Sequence, residues 1–78
     1  MSTQQRYDKI FTESFSINED DLKGLEYNST QAWDSVGHMA LMAALESEFG
    51  IMLEMEDIVD FSSHEKGMQI LTKYGVVF

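Results

Sequence analysis

The sequence of 78 residues contains no cysteine and no proline, and its basic residues are few. Without cysteine the chain can form no disulfide framework, and it has neither a thiolate nucleophile nor the ligands of a zinc ribbon. Five lysine and arginine residues stand against 14 aspartate and glutamate residues, which gives a formal net charge of −9 at pH 7. This balance excludes nucleic-acid binding through phosphate neutralisation and disfavours anionic membranes, whereas partners with basic surfaces would be attracted.

Long apolar runs are also absent. The longest unbroken run, Met39 to Leu45, is far shorter than the roughly 20 residues of a membrane span. The first residues, Met-Ser-Thr-Gln-Gln-Arg, show no apolar core of a signal peptide, so we expect a cytoplasmic protein without membrane insertion. At this length we expect one small domain, residues 1–78, with little room for a walled substrate pocket, which argues against an independent enzyme.

The sequence does contain helical periodicity, and almost nothing in it alternates with the period of a strand. The apolar spacing predicts four helices: Thr3 to Phe15, Asp34 to Phe49, a short one from Glu54 to Phe61, and a last one that starts at Ser62 and ends at Gly75. The expected fold is therefore a small all-α four-helix bundle with three longer helices and one short third helix.

Two local patterns refine this prediction. The long first connection, Ser16 to Trp33, is expected to be tethered to the core by its own apolar residues: Ile17, Leu22 and Leu25. At the start of the last helix, Ser62 and Glu65 have the spacing of a capping box, which predicts Ser62 as the N-cap.

The predicted second helix is apolar on two opposite faces. With successive residues about 100° apart, one face carries the residues that would dock the helix on the bundle: Leu41, Met42, Leu45 and Phe49. The opposite face carries four further apolar residues: Val36, Met39, Ala40 and Ala43. They are either isolated surface residues, which are common, or a contact face for partner proteins, and the pattern alone leaves both interpretations open.

Ser35 follows Asp34 at the predicted start of this helix. The free backbone amides and the dipole of a helix N-terminus favour an anion, so a phosphate ester on Ser35 would be stabilised there. An Asp-Ser pair at a helix start is equally well explained as ordinary capping, and the spacing does not decide between the two.

Catalytic and metal-binding alternatives are weaker. Asp34, Ser35 and His38 are the residue types of a hydrolytic triad, but one short helix supplies neither an oriented base nor an oxyanion hole. His38 projects toward the core side and is expected to be a partly buried, hydrogen-bonded histidine. His38 and His64 lack metal-ligand spacing, and residues 18–21 lack the alternating ligands of a calcium loop, so we expect no metal site.

Two segments of the chain resemble the attachment region of acyl carrier proteins. Residues 33–41, Trp-Asp-Ser-Val-Gly-His-Met-Ala-Leu, are similar to the segment that opens the second helix in that family, and residues 44–51, Ala-Leu-Glu-Ser-Glu-Phe-Gly-Ile, are similar to the stretch that closes it. The length, the acidity, the helix order and the long first loop agree as well. The resemblance implies that Ser35 carries a 4′-phosphopantetheine arm, transferred from coenzyme A by a separate Mg²⁺-dependent phosphopantetheinyl transferase.

The resemblance also implies roles for individual residues. Ser35 would be the attachment nucleophile, activated by the transferase, and Asp34 would help that enzyme to place its metal ion or to orient the serine. The thiol of the arm would hold an acyl group as a thioester, and the chain would be a non-catalytic, monomeric carrier. Ile58 and Val59 would either line an acyl-chain cavity or fill the core, and the core is preferred for both.

Partner contacts are implied on the second helix. Val36, Met39 and Ala43 match positions where the family contacts its partners, and Glu46 would add charge at the rim of that surface. The partners implied are the transferase, an acyl- or aminoacyl-loading ligase and acyl-transferring enzymes with basic docking surfaces.

The chain departs from the fatty-acid carriers in two ways. Ala32 stands where those proteins have glycine, the bulky Trp33 follows it, and Ala40 replaces an acidic residue. Trp33 and the Gly37-His38 pair are more similar to stand-alone carriers of peptide, D-alanyl, polyketide or surface-polysaccharide pathways. We expect an acyl cargo, with an aminoacyl, peptidyl or D-alanyl cargo as one alternative and an unmodified helical adaptor that uses the same helix face as another.

Overall fold

In the computed structural model, which describes residues 1–78, side chains at the starts of three of the four helices accept hydrogen bonds from free amides of the first turn. The four helices are α1 (Thr3–Phe15), α2 (Ser35–Phe49), α3 (Met55–Asp60) and α4 (His64–Lys73). No residue belongs to a β-strand, so the predicted all-helical class with one short third helix is confirmed. No helix combines the length and the apolar character needed to cross a membrane.

The start of α4 differs from the prediction. Ser63 caps this helix and no capping box with Glu65 forms, so the expectation that Ser62 is the N-cap was wrong. The cause is the long connection, which pairs with this segment: the backbone N–H of Tyr27 donates to the Ser62 carbonyl at 2.9 Å, and Glu26 forms an isolated antiparallel bridge with Ser63. This pairing keeps Ser62 outside the helix.

Aromatic residues dominate the core. The largest fully buried side chains are Trp33, Tyr7, Phe11, Phe61, Leu41, Met42, Leu45 and Leu71. The Phe11 ring contacts those of Trp33 and Phe61 at centroid distances of 5.6 and 6.3 Å, and the Trp33 and Phe61 rings are 6.5 Å apart. The docking face predicted for α2 is confirmed, because Leu41, Met42 and Leu45 are buried and Phe49 is half-buried.

The long connection between α1 and α2 is ordered by its own side chains. It contains a short 3₁₀ helix, Glu19–Asp21. Leu22 and Leu25 are buried and Ile17 is half-buried against the core, as predicted. Trp33, at the end of the connection, is fully buried, although the sequence analysis did not place it in the core. The connection is therefore a packed part of the domain, and its last residues fix the start of α2.

Candidate functional site

Asp34 and Ser35 lie side by side on the surface at the start of α2. Asp34 is the N-cap, and its Oδ1 accepts a hydrogen bond from the Gly37 N–H at 2.8 Å, while its Oδ2 has no partner within the protein. Ser35 is the first helical residue and is exposed. Its Oγ lies 3.2 Å from the hydroxyl oxygen of Tyr27. The nucleophile and the carboxylate predicted from the sequence are therefore adjacent, exposed and held at a defined place.

Gly37 allows the end of the long connection to close against α2. A Cβ built at this position would lie 1.9 Å from the carbonyl oxygen of Ala32. Because the obstacle is a backbone atom, no rotamer change could relieve the clash. The close approach of these two backbone segments explains why glycine stands here, and it fixes Ser35 relative to the connection.

His38 joins the connection, α2 and α3. The Trp33 indole N–H donates to His38 Nδ1 at 2.9 Å, and His38 Nε2 is 2.7 Å from the carbonyl oxygen of Ile58. In the neutral tautomer that satisfies both contacts, Nε2 carries the proton and donates it to Ile58. The prediction of a partly buried, satisfied histidine is confirmed, and because both ring nitrogens are engaged, His38 is not arranged as a base for Ser35.

An apolar cleft of about 370 Å³ opens beside Ser35, between α2 and α3. Its apolar lining is formed by Tyr27, Met39, Met55, Ile58, Val59 and Phe61, and its polar lining by Ser35, His38 and Ser62. Two other depressions, of about 460 and 360 Å³, border the long connection, and three of nine and two of seven of their lining residues are hydrophobic. The cleft is thus the one substantial apolar depression in contact with the candidate nucleophile.

The third helix corrects one prediction. Val59 was expected in the core but is 75% exposed, at the edge of the cleft. A helix of six residues has room for one inward-facing stripe, and Asp57 and Ile58 occupy it. Ile58 is half-buried, packs against the core and also lines the cleft, so both of its proposed roles are compatible with its position.

The second apolar face of α2 is uncovered. Val36 is 80% exposed, Met39 is 53% exposed and Ala43 is exposed as well, as the helical wheel predicted. Glu46 differs from the other residues proposed for this surface. It is half-buried, and its carboxylate accepts a hydrogen bond from the Leu53 N–H at 2.8 Å, so it also holds the chain between α2 and α3. Its role as a rim charge stays a prediction.

Asp57 forms a polar network that the sequence analysis did not identify. Lys73 Nζ donates to its Oδ1 at 2.6 Å, and the Tyr74 hydroxyl donates to its Oδ2. The hydrogen bond from Lys73, helped by that from Tyr74, holds the pKa of Asp57 below its ordinary value. The same contacts raise the pKa of Lys73 and the pKa of Tyr74 above their ordinary values. The network ties α3, one wall of the cleft, to the end of α4.

Neither this network nor Tyr27 has a signal in the sequence. Asp57 and Lys73 are 16 residues apart on different helices, and Tyr27 precedes Ser35 by eight residues within an irregular segment, so no periodicity relates either pair. No group of three or more His, Asp or Glu side chains is placed to hold a metal ion. His64 instead lies 2.7 Å from Asp8 through its Nε2.

No protein-family model matches this chain, and a comparison with curated proteins gave no match either.

Proposed function

We propose that this protein is a carrier that is esterified with a 4′-phosphopantetheine arm at Ser35 and delivers an acyl thioester to partner enzymes. The observation that carries the proposal is the exposed Ser35 hydroxyl at the first position of α2, directly after the Asp34 cap and at the mouth of an apolar cleft. The resemblance of residues 33–41 and 44–51 to the attachment region of acyl carrier proteins supplies the identity of the group.

The residues at this place fit such an arm. Ser35 Oγ forms a bond to the phosphorus atom on the pantetheine side of coenzyme A, the bridging bond to the nucleotide breaks, 3′,5′-ADP leaves, and the seryl proton passes to a base of the transferase. The N-terminus of α2 favours the negative charge of the resulting phosphodiester. The bound arm supplies the thiol that carries the cargo. The chain itself has no thiol, because it contains no cysteine.

The surrounding surface supports transfer between enzymes. Asp34 uses only Oδ1 as a cap, which leaves Oδ2 for the metal ion of the transferase. Val36, Met39 and Ala43 offer an exposed apolar contact surface, and the net charge of −9 attracts enzymes with basic docking surfaces. In this proposal the acyl transfer takes place in the cytoplasm, and the chain acts as a monomer that performs no catalysis of its own.

The lining of the cleft favours an acyl cargo over an aminoacyl cargo. Six of the nine residues that line the cleft are apolar, and none of the nine carries a carboxylate. The ammonium group of an aminoacyl cargo would lose water there without gaining a charged partner, whereas an alkyl chain would lose only unfavourable contact with water.

The intact mass of the protein tests the proposal. Incubation of the folded apo protein with coenzyme A, Mg²⁺ and a broad-specificity phosphopantetheinyl transferase is expected to add the mass of one arm. Ser35→Ala is expected to fold normally and to gain nothing, because the attachment oxygen is missing. Ser62→Ala is the matched control, since Ser62 is also exposed and lines the same cleft, and it is expected to gain one arm. No gain by folded wild-type protein would contradict the carrier and favour the unmodified adaptor.

A further inference from the structure

The Tyr27 hydroxyl is the side-chain group of the protein that hydrogen-bonds to Ser35 Oγ, at 3.2 Å. Its position is fixed from two sides. The backbone N–H of Tyr27 donates to the Ser62 carbonyl at 2.9 Å, which holds it on the chain between α3 and α4. Its ring meets the His38 ring edge-on at a centroid distance of 5.5 Å and the Trp33 ring at 6.3 Å. The phenol therefore reaches Ser35 from a ring that packs against His38 and Trp33, while Tyr27 as a whole is 37% exposed.

Esterification of Ser35 would change the character of this hydrogen bond. In the unmodified protein either hydroxyl can be the donor. An ester at Oγ has no proton, so Tyr27 alone can then donate. The charged oxygens on the phosphorus lie next to Oγ and are better acceptors than the ester oxygen, because a hydrogen bond to an ionised group is roughly twice as strong as one between neutral groups.

We propose that Tyr27 is a positioning residue of the carrier site: its hydroxyl donates to the phosphodiester on Ser35 and holds the arm at the mouth of the apolar cleft. The inference rests on the proposed function, because it requires the ester at Ser35. Tyr27 and Ser35 both line the cleft, so a phosphate held between them would direct the arm toward the cleft side of α2. Without this contact the phosphate would turn into solvent by rotation of the Ser35 side chain.

Nuclear magnetic resonance of wild-type protein labelled with ¹³C at tyrosine Cζ tests the contact without any substitution. The chain has three tyrosines, and the other two are internal references, because Tyr7 donates to the His64 carbonyl and Tyr74 donates to Asp57. On modification with coenzyme A and transferase, the Tyr27 Cζ resonance is expected to shift, while those of Tyr7 and Tyr74 stay in place.

A second measurement follows the ³¹P resonance of the modified protein. Tyr27→Phe keeps the packed ring and removes the hydroxyl, so the ³¹P resonance is expected to shift and the phosphorus to reorient faster than in wild type. The modified Ser14→Ala protein, which loses an exposed hydroxyl of α1 outside the cleft, is expected to give the wild-type ³¹P signal.

The outcomes separate the two proposals. Wild-type protein that takes the arm without a shift of Tyr27 Cζ would overturn the role of Tyr27 and leave the carrier intact, and so would a Tyr27→Phe variant with an unchanged ³¹P signal. Wild-type protein that takes no arm would overturn both. Should Tyr27→Phe fail to fold, the labelled wild-type protein decides the question alone.

Discussion

Helices α2 and α4 pack into the same core but leave different surfaces behind. On α4 the core takes up Gly67, Ile70 and Leu71, and the outward positions are polar. On α2 three residues are buried as well, yet Val36 and Met39 still face outward. One apolar face is enough to dock a helix, and a second gains nothing from the fold. Packing of the core therefore accounts for the apolar positions of α4, whereas the outward apolar residues of α2 are the ones proposed above to contact partner proteins.

The largest difference in stability between the two helices is expected when one apolar residue on each is truncated to alanine. Leu71→Ala removes a fully buried side chain of α4 and is expected to lower the free energy of unfolding by about 2–5 kcal/mol. Met39→Ala, on the exposed face of α2, is expected to change it by no more than about 0.5 kcal/mol. Urea denaturation measures both. A comparable loss in Met39→Ala would show that the exposed face of α2 contributes to folding after all.

A second pair of variants contrasts the glycines of the two helices. Gly37→Ala meets a backbone oxygen, and Gly67→Ala places its Cβ 2.2 Å from Phe61 Cζ, so each is expected to cost about 1–3 kcal/mol by overpacking. Only Gly37→Ala also displaces the start of α2. We therefore expect Gly37→Ala, but not Gly67→Ala, to be modified at Ser35 more slowly than wild type. The measurement is the gain in mass with time, at a temperature where both variants are folded. Wild-type stability in Gly37→Ala would contradict the close approach to Ala32.

These elements also show what the sequence can and cannot predict. The core face of α2 was predictable because Leu41, Met42 and Leu45 follow a local helical period. Trp33 belongs to no helical period. It is buried because it stacks on Phe15 at the end of α1, at a centroid distance of 5.3 Å, and this contact is not local in the sequence. The capping residue of α4 was mispredicted because the capping-box spacing of Ser62 and Glu65 is only a local pattern, and pairing with the long connection selects Ser63 instead.

The same limit applies to the candidate site. Ser35 and Asp34 were predicted because a short motif and a helix start identify them locally. Tyr27 and the close approach at Gly37 depend on how the long connection folds back, which no spacing in the sequence encodes. Tertiary packing, rather than local propensity, thus determines the surroundings of Ser35.

A smaller effect concerns the attachment of α3, the cleft wall, to α4. Because the folded-state pKa of Asp57 is lowered, its contribution to stability is present above the ordinary pKa of an aspartate, about 3.9, and is lost as the pH falls through the folded value. Wild type is thus expected to exceed Asp57→Asn in stability at neutral pH, with the difference shrinking in strong acid. Denaturant titrations across the acid range measure this.

Lysine variants provide the control for this pH dependence. Lys73→Met is expected to lose part of the acid sensitivity, because it removes the main hydrogen-bond donor to Asp57. Lys23→Met removes the same charge from an exposed position in the long connection, and this variant is expected to keep the acid sensitivity of wild type. Equal acid profiles for wild type and Lys73→Met would show that the contact contributes nothing to the pH dependence.

The smallest effect is expected from neutralising one exposed carboxylate, either at the end of α3 or at the start of α4. Asp60 ends α3 one turn after Glu56, where the like charge and the negative helix terminus oppose it and the charge of Lys73 attracts it, whereas Glu65 lies in the favourable first turn of α4. At low salt Glu65→Gln is expected to lower the melting temperature by about 1–4 °C, and Asp60→Asn is expected to change it less, because its opposing interactions partly cancel. Because screening weakens interactions between exposed charges, added salt should raise the melting temperature of wild type and reduce the effect of Glu65→Gln. Melting curves that are indifferent to ionic strength would show that repulsion among the clustered carboxylates does not destabilise the fold.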